Sequence, residues 1–332
     1  MRRAWAVAFG LLAVLFLSTC GGGGGGGSSL QYTGLTTPAA IDNTNAEEIA
    51  LAAWFGGEMS DISFLPTLGT GGAAIGGSYP LRVIPLIQTL RKLTDSIGGQ
   101  NPATSSEQAA PKTVYRDNWR EDGVLGYVDI SASWDDQTGR LSGSFSFHGY
   151  DDGSGVVLSG GIGFSGTTSI YYNPGPNPGD ILDLTISFPS FTSTDGINTV
   201  KMAGSMAFQF NVPAGGPIVA TLNLVTLDEG TGKTVRIDDY TVIITEDLLG
   251  SYSDVTISGR IYLHDYGYVD IVTLTPFRVY GTDLYPSSGI LTVTGSGGRK
   301  ARLTALDNTT YGVEVDADAN GTYEWSITGP WT

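Results

Sequence analysis

From Lys112 to near its C-terminus the chain is a succession of period-2 segments broken by short turns, a pattern that leaves little room for any fold other than antiparallel β. Residues 124–134, 140–148, 156–165, 181–188, 200–210, 218–227, 234–245, 255–264, 268–280 and 290–294 each alternate or nearly alternate between apolar and polar side chains. Between them lie turn pairs such as Asp152-Gly153, Asp195-Gly196 and Thr231-Gly232, and the cluster Ser287-Ser288-Gly289. Connections this short join neighbouring antiparallel strands, so the expected arrangement is a meander.

A repeat runs through the meander. Leu141-Ser142-Gly143-Ser144-Phe145-Ser146-Phe147 is echoed by Leu158 to Phe164, by Met202 to Phe208 and by Ile257 to Leu263, each with Gly at the third position. Side chains alternate across a strand, so the apolar residues share one face with Gly143, Gly160, Gly204 and Gly259, while Ser, Ala and Arg line the other. A glycine in the middle of an apolar face sacrifices packing; the expected use is to bend the sheet or admit a ring or helix against the backbone. The expected fold class is therefore all-β, a large curved antiparallel meander sheet forming a barrel or half-barrel, with a two-sheet sandwich as the alternative. A small N-terminal helical segment would pack on it. The polar outer face is the reverse of what a transmembrane barrel needs.

Four stretches organise the chain: 1–19 as a signal peptide, 20–29 as an anchor and tether, 30–111 as a helical and irregular segment, and 112–332 as the β domain. Within the third, Thr44-Asn45-Ala46-Glu47 has capping-box spacing ahead of a helix over 46–55, which Gly56-Gly57 would stop. Its apolar members include Ile49, Ala52, Ala53 and Phe55. A second helix is expected over 80–97, with Val83, Ile84, Leu86, Ile87, Leu90, Leu93 and Ile97 on one face. Packing on the β domain is the preferred use of that face, and a membrane-surface helix is the alternative. Residues 101–111 read as a linker.

Cys20 is the single cysteine. Arg2 and Arg3 precede a charge-free apolar stretch over 4–16, and Leu17-Ser18-Thr19-Cys20 closes it. This resembles the lipobox of bacterial lipoproteins, cut just before a cysteine that becomes lipidated; Thr19 stands where Gly or Ala is usual. The resemblance implies a Cys20 carrying about three acyl chains, more than the two signals that stable anchoring needs. Gly21 follows, with no Asp to mark inner-membrane retention, so the implied address is the outer membrane, at its periplasmic face or the cell surface. Gly21 to Gly27 with Ser28 and Ser29 would span roughly 15–18 Å as a flexible coil. Tyr32-Thr33-Gly34, Thr37-Pro38-Ala39, Asn45-Ala46-Glu47 and the repeated Leu-Ser-Gly strands are similar to a set of uncharacterised exported bacterial lipoproteins, a likeness that implies no activity.

Charge narrows the partners. Without Arg2 and Arg3 the chain has 15 basic against 33 acidic residues, a net charge of about −18, which disfavours nucleic acid and any basic patch for anionic lipid. The expected partners are the membrane, through the anchor, and a lipid or other apolar ligand held by the sheet. With Cys20 acylated, no thiol is left for a disulfide or a thiolate metal site.

Two constellations could carry chemistry. His148 and His264, the only histidines, occupy equivalent places after Gly143 and Gly259, with Asp151, Asp152 and Asp265 nearby; two imidazoles and a carboxylate would suit zinc if their strands lay together. The alternative is a strand-end His-x-Tyr inherited with the repeat. Asp316, Asp318, Asn320 and Glu324 place oxygen ligands at alternate positions around Gly321, like the first half of a calcium loop. Position twelve is Ile327 rather than the bidentate Glu of a helix-loop-helix site, and the flanking residues read as strands, so a hairpin turning at Asn320-Gly321 is the plainer reading. No firm cofactor follows, with Ca2+ the one under consideration. No nucleophile-elbow or other catalytic motif is present, so the expected role is binding or structural, with a calcium-stabilised surface interaction module or an enzyme whose site is dispersed through the chain as the alternatives.

Overall fold

The computed structural model describes residues 30–56, 114–135, 138–151, 153, 155–168, 180–212, 217–246, 251–280, 283 and 285–331. The expected signal peptide, the Gly tether, the second helix and the 101–111 linker lie outside these residues. Among these residues fourteen strands follow one α-helix, α1 (Ala46–Phe55): β1 (Val114–Asp122), β2 (Leu125–Asp135), β3 (Arg140–Asp151), β4 (Val157–Thr168), β5 (Asp180–Thr194), β6 (Thr199–Val212), β7 (Ile218–Asp228), β8 (Thr234–Glu246), β9 (Tyr252–Leu263), β10 (Gly267–Tyr280), β11 (Ser288–Thr294), β12 (Lys300–Ala305), β13 (Thr310–Asp316) and β14 (Trp325–Pro330). They form one antiparallel sheet in strict sequence order. β1 and β14 each have a single neighbouring strand, so the sheet is open, and the closed barrel and two separate sheets are not what forms.

Alternation decides which face is buried. Val128 and Ile130 in β2, Leu184, Ile186 and Phe188 in β5, Ile257 and Ile261 in β9, and Leu303 and Val313 in β12 and β13 all belong to one continuous apolar core. Rings interlock across β3 to β5, with Phe145 on Phe164 at 5.5 Å and Phe147 edge-on to Phe191 at 5.6 Å between centroids. α1 lies over β9 and β11 to β13. Its Trp54 is buried against Phe277 at 4.1 Å and faces Trp331 at 6.1 Å.

The helix has the expected bounds but not the expected start. Thr44 spends its side chain and its backbone N–H on Asp42 Oδ1, at 2.6 and 2.8 Å, and no side chain caps the first turn. The expected partner of the capping box, Glu47, accepts a hydrogen bond from the Tyr311 hydroxyl (2.7 Å), and Glu48 accepts one from Tyr266 (2.5 Å). Acidic residues in a first turn suit the helix dipole, and here they also tie α1 to the sheet. The bond to Glu48 raises the pKa of the Tyr266 hydroxyl to about 12. At the other end Gly56 is left-handed and its N–H bonds the Ala52 carbonyl, while the buried Tyr240 hydroxyl is shared between the carbonyls of Ala53 (3.0 Å) and Trp54 (3.2 Å). A core tyrosine thus satisfies carbonyls that the helix end leaves open.

The repeated glycines do follow the apolar parity, but for three of them the reason differs from expectation. Gly160, Gly204 and Gly259 have φ of 99°, 130° and 130°. A Cβ there would meet the neighbouring strand's backbone: Ser190 O at 2.1 Å, Asn223 O at 2.2 Å and Asp239 O at 2.5 Å respectively. Ser190 and Asp239 lie in the extra-residue stretches of β5 and β8, so Gly160 and Gly259 accommodate β-bulges in the strands beside them. Gly204 pairs with Phe188 at the edge of the β5 bulge, but its Cβ would meet β7, which runs beside β6 in unbroken register. At Gly143 a ring does approach: an added Cβ would lie 2.3 Å from Phe164, and 2.1 Å from the Ser131 carbonyl oxygen.

Candidate functional site

Because the sheet is a meander, the turns after odd-numbered strands all lie along one rim and those after even-numbered strands along the other. Residues 32–39 are sewn to the first rim. The Tyr32 hydroxyl reaches the Leu263 carbonyl (3.1 Å), and burial raises its pKa to about 12. The Thr33 N–H donates to Thr234 Oγ1 (3.0 Å) and the Leu35 N–H to the His264 carbonyl (3.0 Å). Tyr268 exchanges backbone bonds with Thr37 and Ala39, and the Ser296 N–H donates to the Ala39 carbonyl (2.7 Å). Gly267, at φ 92°, would put a Cβ 2.0 Å from the Thr37 carbonyl oxygen, so only glycine lets this strap lie so close.

The β13–β14 loop is on the same rim, and there the structure brings three of the four expected calcium ligands together. One oxygen each from Asp316, Asp318 and Glu324 lies within 4.8 Å of the others, the one such group among the described residues. Asp316 closes β13 and is buried; its two oxygens accept the N–H groups of Asn320 and Gly321, both at 3.0 Å. Asp318 accepts from the Asn320 backbone (3.1 Å) and side-chain amide (2.9 Å). The Asn320 amide oxygen is turned to the Thr322 N–H (2.7 Å). The connection is longer than a two-residue hairpin: eight residues, 317–324, separate the strands, with positive φ at Ala319 (62°) and Gly321 (89°). Ile327 pairs with Val313 inside β14, and Tyr323 and Glu324 precede that strand.

The donor set fits a hard cation. At Ca–O distances of 2.3–2.6 Å, ligand oxygens across one ion stand at most about 4.6–5.2 Å apart, and the three carboxylates meet that limit. Each retains lone pairs beyond those accepting N–H groups.

The histidines are not brought together. His148 lies in β3 and His264 just past β9, with five strands between them in the sheet. His148 stacks on Tyr127 at 4.5 Å and places Nε2 3.2 Å from Ser146 Oγ and 3.5 Å from Asp129. His264 Nδ1 accepts the Thr234 N–H at 3.2 Å, and Asp265 is paired with Lys233 at 2.6 Å, which holds its carboxyl below the usual range. Asp151 Oδ1 accepts the N–H groups of Gly153 and Gly155, while Asp152 lies outside the described residues.

One surface feature is absent from the sequence reading. Arg120, Arg260 and Arg278 each grip an aspartate on the adjacent strand with two nitrogens, Asp129, Asp270 and Asp254 respectively, at 2.7–3.1 Å. Each guanidinium also covers a tyrosine two residues before that aspartate, Tyr127, Tyr268 or Tyr252, at 3.8–4.0 Å. The signal was a Tyr-x-Asp tripeptide occurring three times on the polar parity. These bonds hold Arg260 and Arg278 firmly protonated and keep the Asp129 carboxyl low. Their work is cross-strand support. Comparison with family models, with curated proteins and with solved structures finds no match to this chain.

Proposed function

We propose that this chain is a lipid-anchored envelope protein, held at the outer membrane through Cys20, whose open β-sheet domain has a non-catalytic structural or binding role. The observation that carries the reading is the strap: the chain emerging from the Gly tether is hydrogen-bonded to the sheet rim from Tyr32 to Ala39, so an anchor at Cys20 would hold the whole sheet. Of the two roles the structural one has more support. An apolar ligand would have to enter the face already filled by residues such as Phe188, Met206 and Leu224, each no more than 2% exposed. The test is fractionation with detergent partitioning and intact mass. Wild type should partition with membranes and carry acyl mass, and Cys20→Ser should be released; a wild-type chain without acyl mass ends the proposal. Native mass spectrometry of the purified domain then separates the roles, since co-purifying lipid would favour the carrier.

A second reading, a calcium-stabilised surface module, is favoured by the convergence of Asp316, Asp318 and Glu324. A cation binding only the folded state stabilises it by about 2.7 kcal/mol at a hundredfold excess over Kd. Millimolar calcium should raise the Tm of wild type and leave Asp318→Ala unmoved. A wild-type melt indifferent to calcium and chelator returns the loop to an ordinary turn.

A further inference from the structure

Exposed large aliphatics recur at the turns of one rim. Val124 and Leu125 lie at the β1–β2 turn, Ile197 in the β5–β6 turn and Leu35 on the strap at the β9–β10 turn, all on the rim reached by odd-numbered strands. On the other rim, where β12–β13 is the one turn described throughout, Leu306 is exposed, and Val272 and Leu274 lie within β10. Ile197 is 91% exposed and Val124 72%. They are held out rather than loosely displayed. Asp195 Oδ1 accepts the N–H groups of Ile197 (2.9 Å) and Asn198 (2.7 Å), and the Val124 N–H donates to the Asp151 carbonyl (2.7 Å). Rigid turns carrying single aliphatic side chains are suited to dipping into a lipid interface, because little ordering entropy remains to be lost there.

Chain length points to the same rim. Cys20 is ten residues from Leu30, a distance that even a fully extended chain covers in about 35 Å. The strap enters the sheet at the odd-strand rim, beside Thr234 and His264. β5 and β6, at 15 and 14 residues, are about 45–50 Å long, so the opposite rim stands beyond the tether's reach when the sheet is upright. Charge selects the surface. The same rim exposes Asp122, Asp195 and Asp318, which would repel an anionic headgroup layer, while Glu229 and Asp265 are paired with Lys201 and Lys233.

We infer that the rim formed by the turns after odd-numbered strands is the membrane-facing surface of the protein, with Leu35, Val124, Leu125 and Ile197 seated in the interface of a zwitterionic phospholipid bilayer. The sheet then stands with its other rim, including the β12–β13 turn at Leu306, directed away from the lipid. This orientation rests on anchoring at Cys20, and the experiment separates the two.

Full-length lipidated protein bearing Ile197→Cys or Leu306→Cys is labelled with a nitroxide and reconstituted into phosphatidylcholine vesicles. Acylation of Cys20 leaves the introduced thiol as the reactive one. Both sites are exposed, at 91% and 52%, so neither change disturbs packing. On vesicles the label at 197 should lose several-fold of its collision rate with an aqueous nickel chelate, relative to the same label on an unanchored chain that also carries Cys20→Ser. The label at 306 should not change. Flotation with the vesicles reports the anchor. Protein that floats while 197 stays fully water-accessible, or while 306 is shielded equally or more, overturns the orientation and leaves the anchor standing. Protein that does not float removes the anchor and the orientation together.

Discussion

Two parts of one sheet solve the same problem differently. In β11 to β14 the strands are six or seven residues long and pair without a register shift, and β11 to β13 lie under α1 with Trp54, Tyr311 and Trp331 clustered at the contact. In β2 to β6 they run to 11–15 residues, and every pairing among them contains a register shift. Strand twist accumulates with length, and a long strand relieves it by inserting a residue, which bends the strand and breaks the ladder locally. The short strands need no such relief. Gly160 and Gly259 clear the way for bulges in their long neighbours β5 and β8, whereas the short strands depend on the helix that covers them.

The largest effect expected to separate the two regions is at Trp54. Trp54→Ala should cost about 3–5 kcal/mol. If the regions are distinct, hydrogen exchange will show protection lost first in β11 to β13 and retained in β3 to β6. Uniform loss would make the sheet one cooperative unit and erase the contrast.

A smaller effect tests the long strands. Gly204→Val places a side chain at φ 130° against the Asn223 carbonyl and should cost about 3 kcal/mol. Ser205→Val, on the other face of β6, should stay within about 0.5 kcal/mol. Equal melting temperatures for the two variants would show that β7 gives way to the added side chain.

The smallest effect is electrostatic and sharpens the contrast at the turns. Asp307, in the β12–β13 turn, accepts from the hydroxyl and N–H of Thr309 and from the Thr310 hydroxyl, which lowers its pKa to about 2. A carboxylate depressed in the folded state contributes stability above its unfolded pKa of about 4 and loses it as pH falls toward 2. Asp307→Asn should make the acid side of the stability profile shallower between those values. A profile unchanged from wild type would mean that the turn does not couple to global folding. In the long-strand region Asp195 is lowered in the same direction by the N–H groups of Asn198 and Ile197, so Asp195→Asn is the matched comparison.

Much of this architecture is legible in the residues. The ten segments read as strands are strands, and the helix over 46–55 forms with Gly56 at its end. β1 escaped because it is charge-rich at the edge, with Arg116, Asp117, Arg120, Glu121 and Asp122 masking any apolar alternation. β12 escaped because two of its three inward residues are alanines, Ala301 and Ala305, too small to stand out from their polar neighbours. The acidic pattern at Asp316 to Glu324 was visible as spacing, but the spacing could not say that Glu324 comes back to the aspartates. That return depends on β14 pairing Trp325 with Val315.

What the sequence determines by itself is local: the period-2 faces, the short turns that force a meander, the helix stop, the tether length and the lone Cys20. Each follows from steric and hydrogen-bonding rules acting within a few residues. Tertiary structure alone decides which residues become cross-strand neighbours. Register pairs Arg278 with Asp254, directs Glu47 and Glu48 to tyrosines instead of a cap, and sets a bulge opposite Gly160 and Gly259. The physical reason is that register is a collective choice, made by packing one whole apolar face at once, and no single stretch of chain contains it.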